Sequence, residues 1–243
     1  MSKNVVIVTG GSRGIGYEIV KLFLENSYSV IYTYLHRNEN MDKLKDIVSE
    51  NNVIFESYRL DISNSKEVKQ FKNWFIEKEY NLIGLVNNAG ITINNLLISM
   101  SDEEWNKVIN VNLNGTFYMC REFAKLMLVN RKGFIINISS THGINGTLGG
   151  ANYAASKGGV IALSKSLGYE LAKFGIRVNV IAPGYIATDM ISDFTEKQSA
   201  TLKKKIQLSR FGDPREVAEM VIFLAKGNHF CQNSVITMDG GVL

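Results

Sequence analysis

The chain has only two cysteines, Cys120 and Cys231, and three histidines, His36, His142 and His229, in 243 residues. The cysteines lie far apart without metal-ligand spacing, and no two histidines share a helical spacing, which argues against a disulfide framework and against a zinc site. No metal is expected, and the compartment reads as reducing. An excess of one charge is missing too. The 27 basic and 23 acidic residues leave a net charge of +4, spread along the chain and too mild to point to a nucleic-acid groove or a membrane surface. No apolar run approaches the roughly 18 residues of a membrane span. A strand pattern begins within the first few residues and leaves no room for a signal peptide. The expectation is a cytoplasmic protein with neither nucleic-acid nor membrane partners. Repeats, low-complexity tracts and interdomain linkers are also missing.

What is present is regular alternation. With 45% hydrophobic and 21% charged residues, the chain is long enough for one substantial core, and residues 1–243 read as one domain. Short β-branched runs predict strands at Val5–Thr9, Ser29–Tyr34, Val53–Arg59, Leu82–Asn87, Phe134–Ser139, Arg177–Ala182 and Ser234–Met238, all reading as buried. Amphipathic stretches predict helices at Ile15–Asn26, Asn40–Asn51, Ser65–Lys78, Ser101–Asn110, Leu113–Asn130, Ala151–Lys173 and Pro214–Ala225. This order is that of βαβ units around a parallel sheet. Ser101-Asp-Glu-Glu104 is a capping box, Asp213-Pro214 an N-cap before a first-turn proline, and Asn26, Gly175 and Gly227 suit helix ends. The irregular stretch from Gly184 to about Gly212 is expected to be a functional lid.

Two segments carry chemistry. Thr9-Gly-Gly-Ser-Arg-Gly-Ile-Gly16 follows the first strand and opens a helix, so its glycines let backbone N–H groups approach a pyrophosphate. At the end of the second strand, Tyr32 to Asn38 holds no acid for a ribose hydroxyl; it holds His36 and Arg37, and Arg13 lies in the glycine loop, a pattern that favours NADPH. Asp61 stands after the third strand, where an adenine could bind, and Asn87-Asn88-Ala89-Gly90 ends the fourth. The second segment is Tyr153-Ala-Ala-Ser-Lys157, with Ser140 thirteen residues before it. On a helix the phenol and the ammonium share one face. A lysine and a cationic nicotinamide together are expected to draw the phenol from about 10 towards neutrality, roughly 4 kcal/mol. Tyr17/Lys21 and Tyr169/Lys173 repeat the spacing and read as solvated pairs on amphipathic helices.

Thr9–Gly16, Asn87–Gly90, Asn112, Ser140, Tyr153-x-x-x-Lys157 and Pro183-Gly184 are, in order, motifs similar to those of the short-chain dehydrogenase/reductase family, across nearly the whole chain. The resemblance implies a single-domain α/β Rossmann fold, a seven-stranded parallel sheet with helices on both faces. Gly90–Leu97, Ala151–Lys157 and Asp239–Gly241 resemble the bacterial beta-ketoacyl-[acyl-carrier-protein] reductases within it. That implies NADPH-dependent reduction of a 3-oxoacyl thioester in fatty-acid or related polyketide synthesis. Acetoacetyl-CoA reduction and a cofactor-binding sensor or scaffold without turnover stay open as alternatives. By the same resemblance Asn112, Ser140, Tyr153 and Lys157 are catalytic. Ser140 is preferred to Ser139 on its distance from the tyrosine, and Asn112, which read alone is a helix kink or cap, anchors a water relay. Gly10, Ser12, Arg13, Gly14, Ile15, Gly16, Arg37, Asp61, Asn88, Ala89, Gly90, Tyr153, Lys157, Pro183, Gly184, Ile186 and Thr188 would bind NADP(H).

Two positions depart from that pattern. Gly150 and Ile93 stand where such reductases often carry glutamine and arginine, which removes polar reach and leaves acyl specificity open. The resemblance further implies a homotetramer and an acidic acyl-carrier partner, which calls for cations beside the site entrance. Arg131 and Lys132 match one basic position; at the second, Phe174 replaces arginine with Lys173 adjacent. A cation at 131 or 132 also suits a helix C-terminus on its own account.

Overall fold

The structure, a computed structural model, describes residues 3–36, 39–188, 195–227 and 230–242. Seven strands, β1 (Lys3–Thr9), β2 (Ser29–Tyr34), β3 (Phe55–Arg59), β4 (Tyr80–Asn87), β5 (Gly133–Ile138), β6 (Ile176–Pro183) and β7 (Val235–Met238), form one sheet in the order β3-β2-β1-β4-β5-β6-β7. Every pairing is parallel. The order reverses between β1 and β4, and an open α/β sheet places its ligand crevice at the strand ends of such a switch point.

The helices are α1 (Gly14–Glu25), α2 (Lys45–Asn51), α3 (Ser65–Glu77), α4 (Asp102–Ile109), α5 (Gly115–Asn130), α6 (His142–Asn145), α7 (Ala151–Leu171), α8 (Glu196–Lys204) and α9 (Pro214–Lys226). Both faces of the sheet are covered. Val6 and Val8 of β1 join a core with Phe23 of α1 and Val221 of α9, whereas Val5 and Ile7 join one with Phe71 of α3 and Phe123 of α5. That alternation within one uniformly apolar strand is what a doubly covered parallel strand requires. On the second face the Phe123 ring lies 5.2 Å from Phe71 and 5.9 Å from Phe75.

Local signals act where expected. Ser101 and Asp213 make capping boxes with Glu104 and Glu216, and Gly175 and Gly227 take the left-handed conformation at helix ends. Four expectations need correction. Strands β3 and β7 are only partly buried, because each has a neighbour on one side alone. Residues 40–51 divide into a 3-10 turn, Glu39–Leu44, and the short α2. The last predicted turn of the long helix is 3-10, Ala172–Phe174. The stretch from Gly184 to Gly212 is not irregular throughout: α8 starts at a Thr195–Gln198 capping box, Ile186 bridges to Gly212, and Ile206 bridges to Val242. Positions 189–194 of that stretch lie outside the described residues.

Candidate active site

The glycine loop joins β1 to α1 with no space to spare. Gly10 has φ +63°, and a Cβ there would lie 2.9 Å from Ala89 Cα; at Gly16 it would lie 2.1 Å from the Gly10 oxygen. Only hydrogen fits at either position. The Thr9 hydroxyl accepts the backbone N–H groups of Asn88 (3.0 Å) and Ala89 (3.1 Å), while Asn88 Nδ2 donates to the carbonyls of Thr9 (3.1 Å) and Gly10 (3.0 Å). The ends of β1 and β4 are thereby stitched together at the switch point. Thr9, absent from the expected binding residues, is the hinge of this arrangement; its place at the head of the glycine motif was the available signal.

The first turn of α1 contains no acidic residue and no side-chain cap. Its leading N–H groups have no intrahelical acceptor, which suits a phosphate. Ser12 is buried and Arg13 is the exposed N-cap residue, with Ile15 half-buried behind it. Across the cleft, a Cβ on Gly14 would meet Thr188 Cγ2 at 3.3 Å, and one on Gly90 would meet Asn112 Oδ1 at 3.2 Å and Lys157 Nζ at 3.4 Å. Pro183 ends β6, the Gly184 N–H donates to the Met238 carbonyl at 3.0 Å, and Ile186 is buried. Asp61, just beyond β3, accepts the N–H and hydroxyl of Ser63 on Oδ1 (2.9 and 2.6 Å). This cradle of close backbone and free helix donors fits a dinucleotide. Arg37 lies outside the described residues; His36 is exposed.

Beyond β5 the chain presents two serines to α7. Ser139 Oγ donates to the Lys157 carbonyl at 2.8 Å, committing that hydroxyl to the helix backbone. Ser140 Oγ accepts the His142 N–H at 3.1 Å and faces the Tyr153 phenol, on which it acts to lower the pKa. Lys157, 5% exposed, donates from Nζ to the Ile138 carbonyl at 2.8 Å and lies 5.8 Å from the Tyr153 ring centroid. Burial pulls the ammonium down to about 8. It also pushes the Tyr153 phenol above its ordinary value, an effect larger than the opposing one of Ser140. The expected acidification of Tyr153 is therefore not produced by this chain's own residues, because desolvation outweighs them.

Asn112 sits in a π turn, Asn110–Asn114, between α4 and α5, and is fully buried. Its Oδ1 accepts the Ile91 N–H (2.8 Å), its Nδ2 donates to the Ile91 carbonyl (2.9 Å) and Ser156 Oγ (3.0 Å), and its own carbonyl accepts from Thr116 Oγ1 (2.7 Å). The kink and the contact with the site coexist. Tyr169 is 81% exposed and remote from any such cluster, and Tyr17 packs on the α1 core with its phenol raised by burial and by Glu18 and Glu25. Two rings that sequence spacing did not connect join the cluster: His142 packs beside Tyr153, and Tyr185 packs on the other side of His142.

Arg131 and Lys132 do not flank this cluster. They precede Gly133, the first residue of β5, whereas Ser140 follows its last. A six-residue strand separates them by about 20 Å at roughly 3.3 Å per residue. Arg131 caps α5 in the left-handed conformation, donates to the Lys173 carbonyl at 3.4 Å, and lies over the Phe174 ring at 5.3 Å. The helix-end role is the one its contacts support within one chain.

A doubly wound parallel sheet, a glycine loop at its switch point and a Ser–Tyr–Lys cluster on the same edge define a nucleotide-dependent oxidoreductase. The family model described as short chain dehydrogenase matches residues 4–199, and the chain belongs to that family. It is 41% identical over 238 residues to a 3-oxoacyl-[acyl-carrier-protein] reductase FabG of Chlamydia pneumoniae, covering 98% of this chain and 96% of that protein. Proteins of the same name from Rickettsia felis and Thermotoga maritima are 42% and 39% identical, each over 98% of this chain and over 95% and 97% of their own lengths. Among the described residues no helix is long and apolar enough to cross a membrane, and no cluster of three or more His, Cys, Asp or Glu could hold a metal ion.

The buried lysine generates a stability prediction. Its pKa falls from 10.5 in free lysine to about 8, so at pH 7 the fold bears a charge penalty of about 3 kcal/mol. Between pH 8 and 10.5 the unfolded chain binds the extra proton, so stability from this group rises with pH. Lys157→Met should raise the unfolding free energy at pH 7 by about 1–3 kcal/mol, the lost hydrogen bond setting the lower end. The advantage should shrink above pH 8 and vanish near 10.5. Urea titrations at pH 7 and pH 10 measure it; an equal gain at both would show that no buried charge is being relieved.

Proposed function

We propose that the protein reduces the 3-oxo group of a 3-oxoacyl thioester carried on acyl-carrier protein, using NADPH, in fatty-acid or related polyketide synthesis in the cytoplasm. The observation that carries this reading is the convergence of Ser140, Tyr153 and Lys157 beside the glycine loop, in a chain similar over nearly its full length to proteins named for that reaction. The Ser140 and Tyr153 hydroxyls hydrogen-bond the ketone oxygen, where charge develops, and Tyr153 passes its proton to that oxygen. A phenol raised by burial stays protonated at neutral pH, the state that a proton donor in reduction needs. Lys157 holds the nicotinamide ribose, and Asn112 fixes the loop at Ile91 and connects to the lysine through water.

When bound, the reduced nicotinamide supplies the hydride. Gly10, Ser12, Gly14, Ile15 and Gly16 hold the pyrophosphate, Arg13 and Arg37 the 2′-phosphate, and Asp61 the adenine. Asn88, Ala89 and Gly90 line the ribose side, and Pro183, Gly184, Ile186 and Thr188 the nicotinamide end, with residues 184–212 as the lid of a single domain. The protein assembles as a homotetramer through α5, α7 and the C-terminal segment. These elements leave Phe117, Val129, Tyr169 and Phe230 exposed in one chain.

Turnover tests the reading directly. Tyr153→Phe should lower kcat for acetoacetyl-CoA or an N-acetylcysteamine 3-oxoacyl thioester by several orders of magnitude while NADPH still binds, whereas Tyr17→Phe and Tyr169→Phe should leave it intact. Loss of activity in a folded, NADPH-binding decoy variant would overturn the assignment.

Cofactor choice is a separate measurement. The unmutated protein should prefer NADPH to NADH, and Arg37→Asp should narrow that preference about 10- to 150-fold, the worth of a hydrogen bond to a charged group. Equal efficiency with both cofactors would refute the argument from the missing acid.

Carrier docking gives the third test. With Arg131 and Lys132 at the far end of β5, a carrier bound there reaches an active site only across subunits. Arg131→Glu/Lys132→Glu should therefore reduce efficiency on carrier-bound substrate, in a salt-dependent way, and spare the N-acetylcysteamine thioester. Equal loss on both would indicate a fold defect instead, and no loss on either would move docking to another face.

A further inference from the structure

The imidazole of His142 stands between two phenol rings. Its centroid lies 6.2 Å from that of Tyr153 and 5.6 Å from that of Tyr185, at 78° and 77°, both edge-on. Its backbone N–H donates to Ser140 Oγ, so the residue is tied to Ser140 by a hydrogen bond and lies against Tyr153 by its ring. The side chain is half-buried, and among the described residues its ring nitrogens make no hydrogen bond. A partly desolvated polar group without a partner is costly to keep. Burial also holds its pKa below the ordinary value, so at neutral pH the ring is uncharged, with one N–H to give and one nitrogen to accept.

At the two positions that depart from the family pattern no long polar side chain is present. Gly150 has none, and a Cβ there would meet Thr147 Cγ2 at 2.5 Å and Asn94 Oδ1 at 3.9 Å. Ile93 contributes an apolar side chain and uses its carbonyl to accept Asn152 Nδ2 at 3.0 Å. A 3-oxoacyl thioester carries a second carbonyl, one methylene away from the ketone that Ser140 and Tyr153 engage. That oxygen needs a donor beside Tyr153, and the imidazole has one unused.

We infer that His142 is a specificity-determining residue that donates its ring N–H to the thioester carbonyl of the substrate. Two oxygens of one 1,3-dicarbonyl unit are then held from adjacent residues, which orients the ketone carbon and selects 3-oxoacyl thioesters over simple ketones. The inference rests on the reading of the site as a 3-oxoacyl thioester reductase. It is distinct from mere packing, since a phenyl ring would fill the same space between Tyr153 and Tyr185 without a donor.

The test compares wild type, His142→Phe and His142→Gln on 3-oxobutanoyl-N-acetylcysteamine. The matched thioether ketone, whose thioester carbonyl is replaced by a methylene, serves as competitive inhibitor. His142→Phe should lower kcat/KM for the thioester roughly tenfold, mainly through KM, the worth of one neutral hydrogen bond. The inhibition constant of the thioether should move less than about threefold, because it has no carbonyl for His142 to hold. His142→Gln, which restores an N–H donor, should recover most of the loss. Parallel changes for both compounds, no change for either, or a glutamine variant no better than phenylalanine would each overturn the inference. A wild-type protein that reduces no 3-oxoacyl thioester would instead remove the functional reading beneath it.

Discussion

A lysine ammonium taken almost wholly out of water is the constraint around which the site is built. Lys157 keeps 5% of its surface and answers the cost of burial with a hydrogen bond to the Ile138 carbonyl, the last residue of β5. Everything nearby fixes the helical turn that carries it. Ser139 Oγ binds the Lys157 carbonyl, Asn112 Nδ2 binds the hydroxyl of the preceding Ser156, and Gly143 approaches so closely that a Cβ there would lie 2.6 Å from the Lys157 carbonyl carbon. Two separate segments, the β5–α7 connection and the π turn before α5, thus converge on one turn of α7. A buried cation would otherwise drag its helix towards solvent or lose its proton. The packing prevents the first, and the pKa near 8 records a partial move towards the second.

Beneath this turn the core is not purely apolar. Asn87 Nδ2 donates to Asn137 Oδ1 at 2.8 Å, and Asn137 Nδ2 donates to Ser164 Oγ at 2.8 Å, linking β4, β5 and α7 through side chains. Asn87 Nδ2 also approaches Cys120 Sγ at 3.2 Å, and burial pushes that thiol up to about 12, so it is a packing group with no nucleophilic character at neutral pH. Such links favour one alignment of helix on sheet, since sliding α7 by a turn would leave several buried polar groups unpaired at about 1–3 kcal/mol each. The polar layer therefore fixes the height at which Tyr153 and Lys157 emerge.

The parts of this arrangement legible in the sequence are those governed by local rules. The glycine loop, the caps at Ser101 and Asp213, and the strand runs follow from steric and hydrogen-bonding preferences that act within a few residues. The helical spacing of Tyr153 and Lys157 was equally legible, but three pairs share it, and only tertiary placement separates the buried pair from the exposed Tyr169. The location of Arg131 was not readable from composition: a basic residue between helix and strand looks alike whether it lies at the top or the bottom of the sheet. Topology decides, because every helix-to-strand connection in a parallel sheet of this kind lies at the edge opposite the strand ends that bind ligand. The helix within 196–204 was missed for another reason. It is polar and exposed, so it lacks the apolar stripe by which helices are recognised, and its capping box was its clearest mark.

The phenol, expected to be drawn down by a desolvated lysine and a cationic nicotinamide acting together, is raised in the chain alone, where its own burial is the largest influence. Lys157 can reach the tyrosine's neighbourhood only by being buried, and the same burial raises the phenol and weakens the lysine as a cation. The two effects are inseparable in this geometry: a more exposed lysine would be a fuller charge but better screened by water. For a reductase the outcome is favourable. Proton donation needs the neutral phenol before the reaction and an electrostatic welcome for tyrosinate only as the proton leaves, so a cluster that holds the proton at rest serves reduction better than one that has already released it.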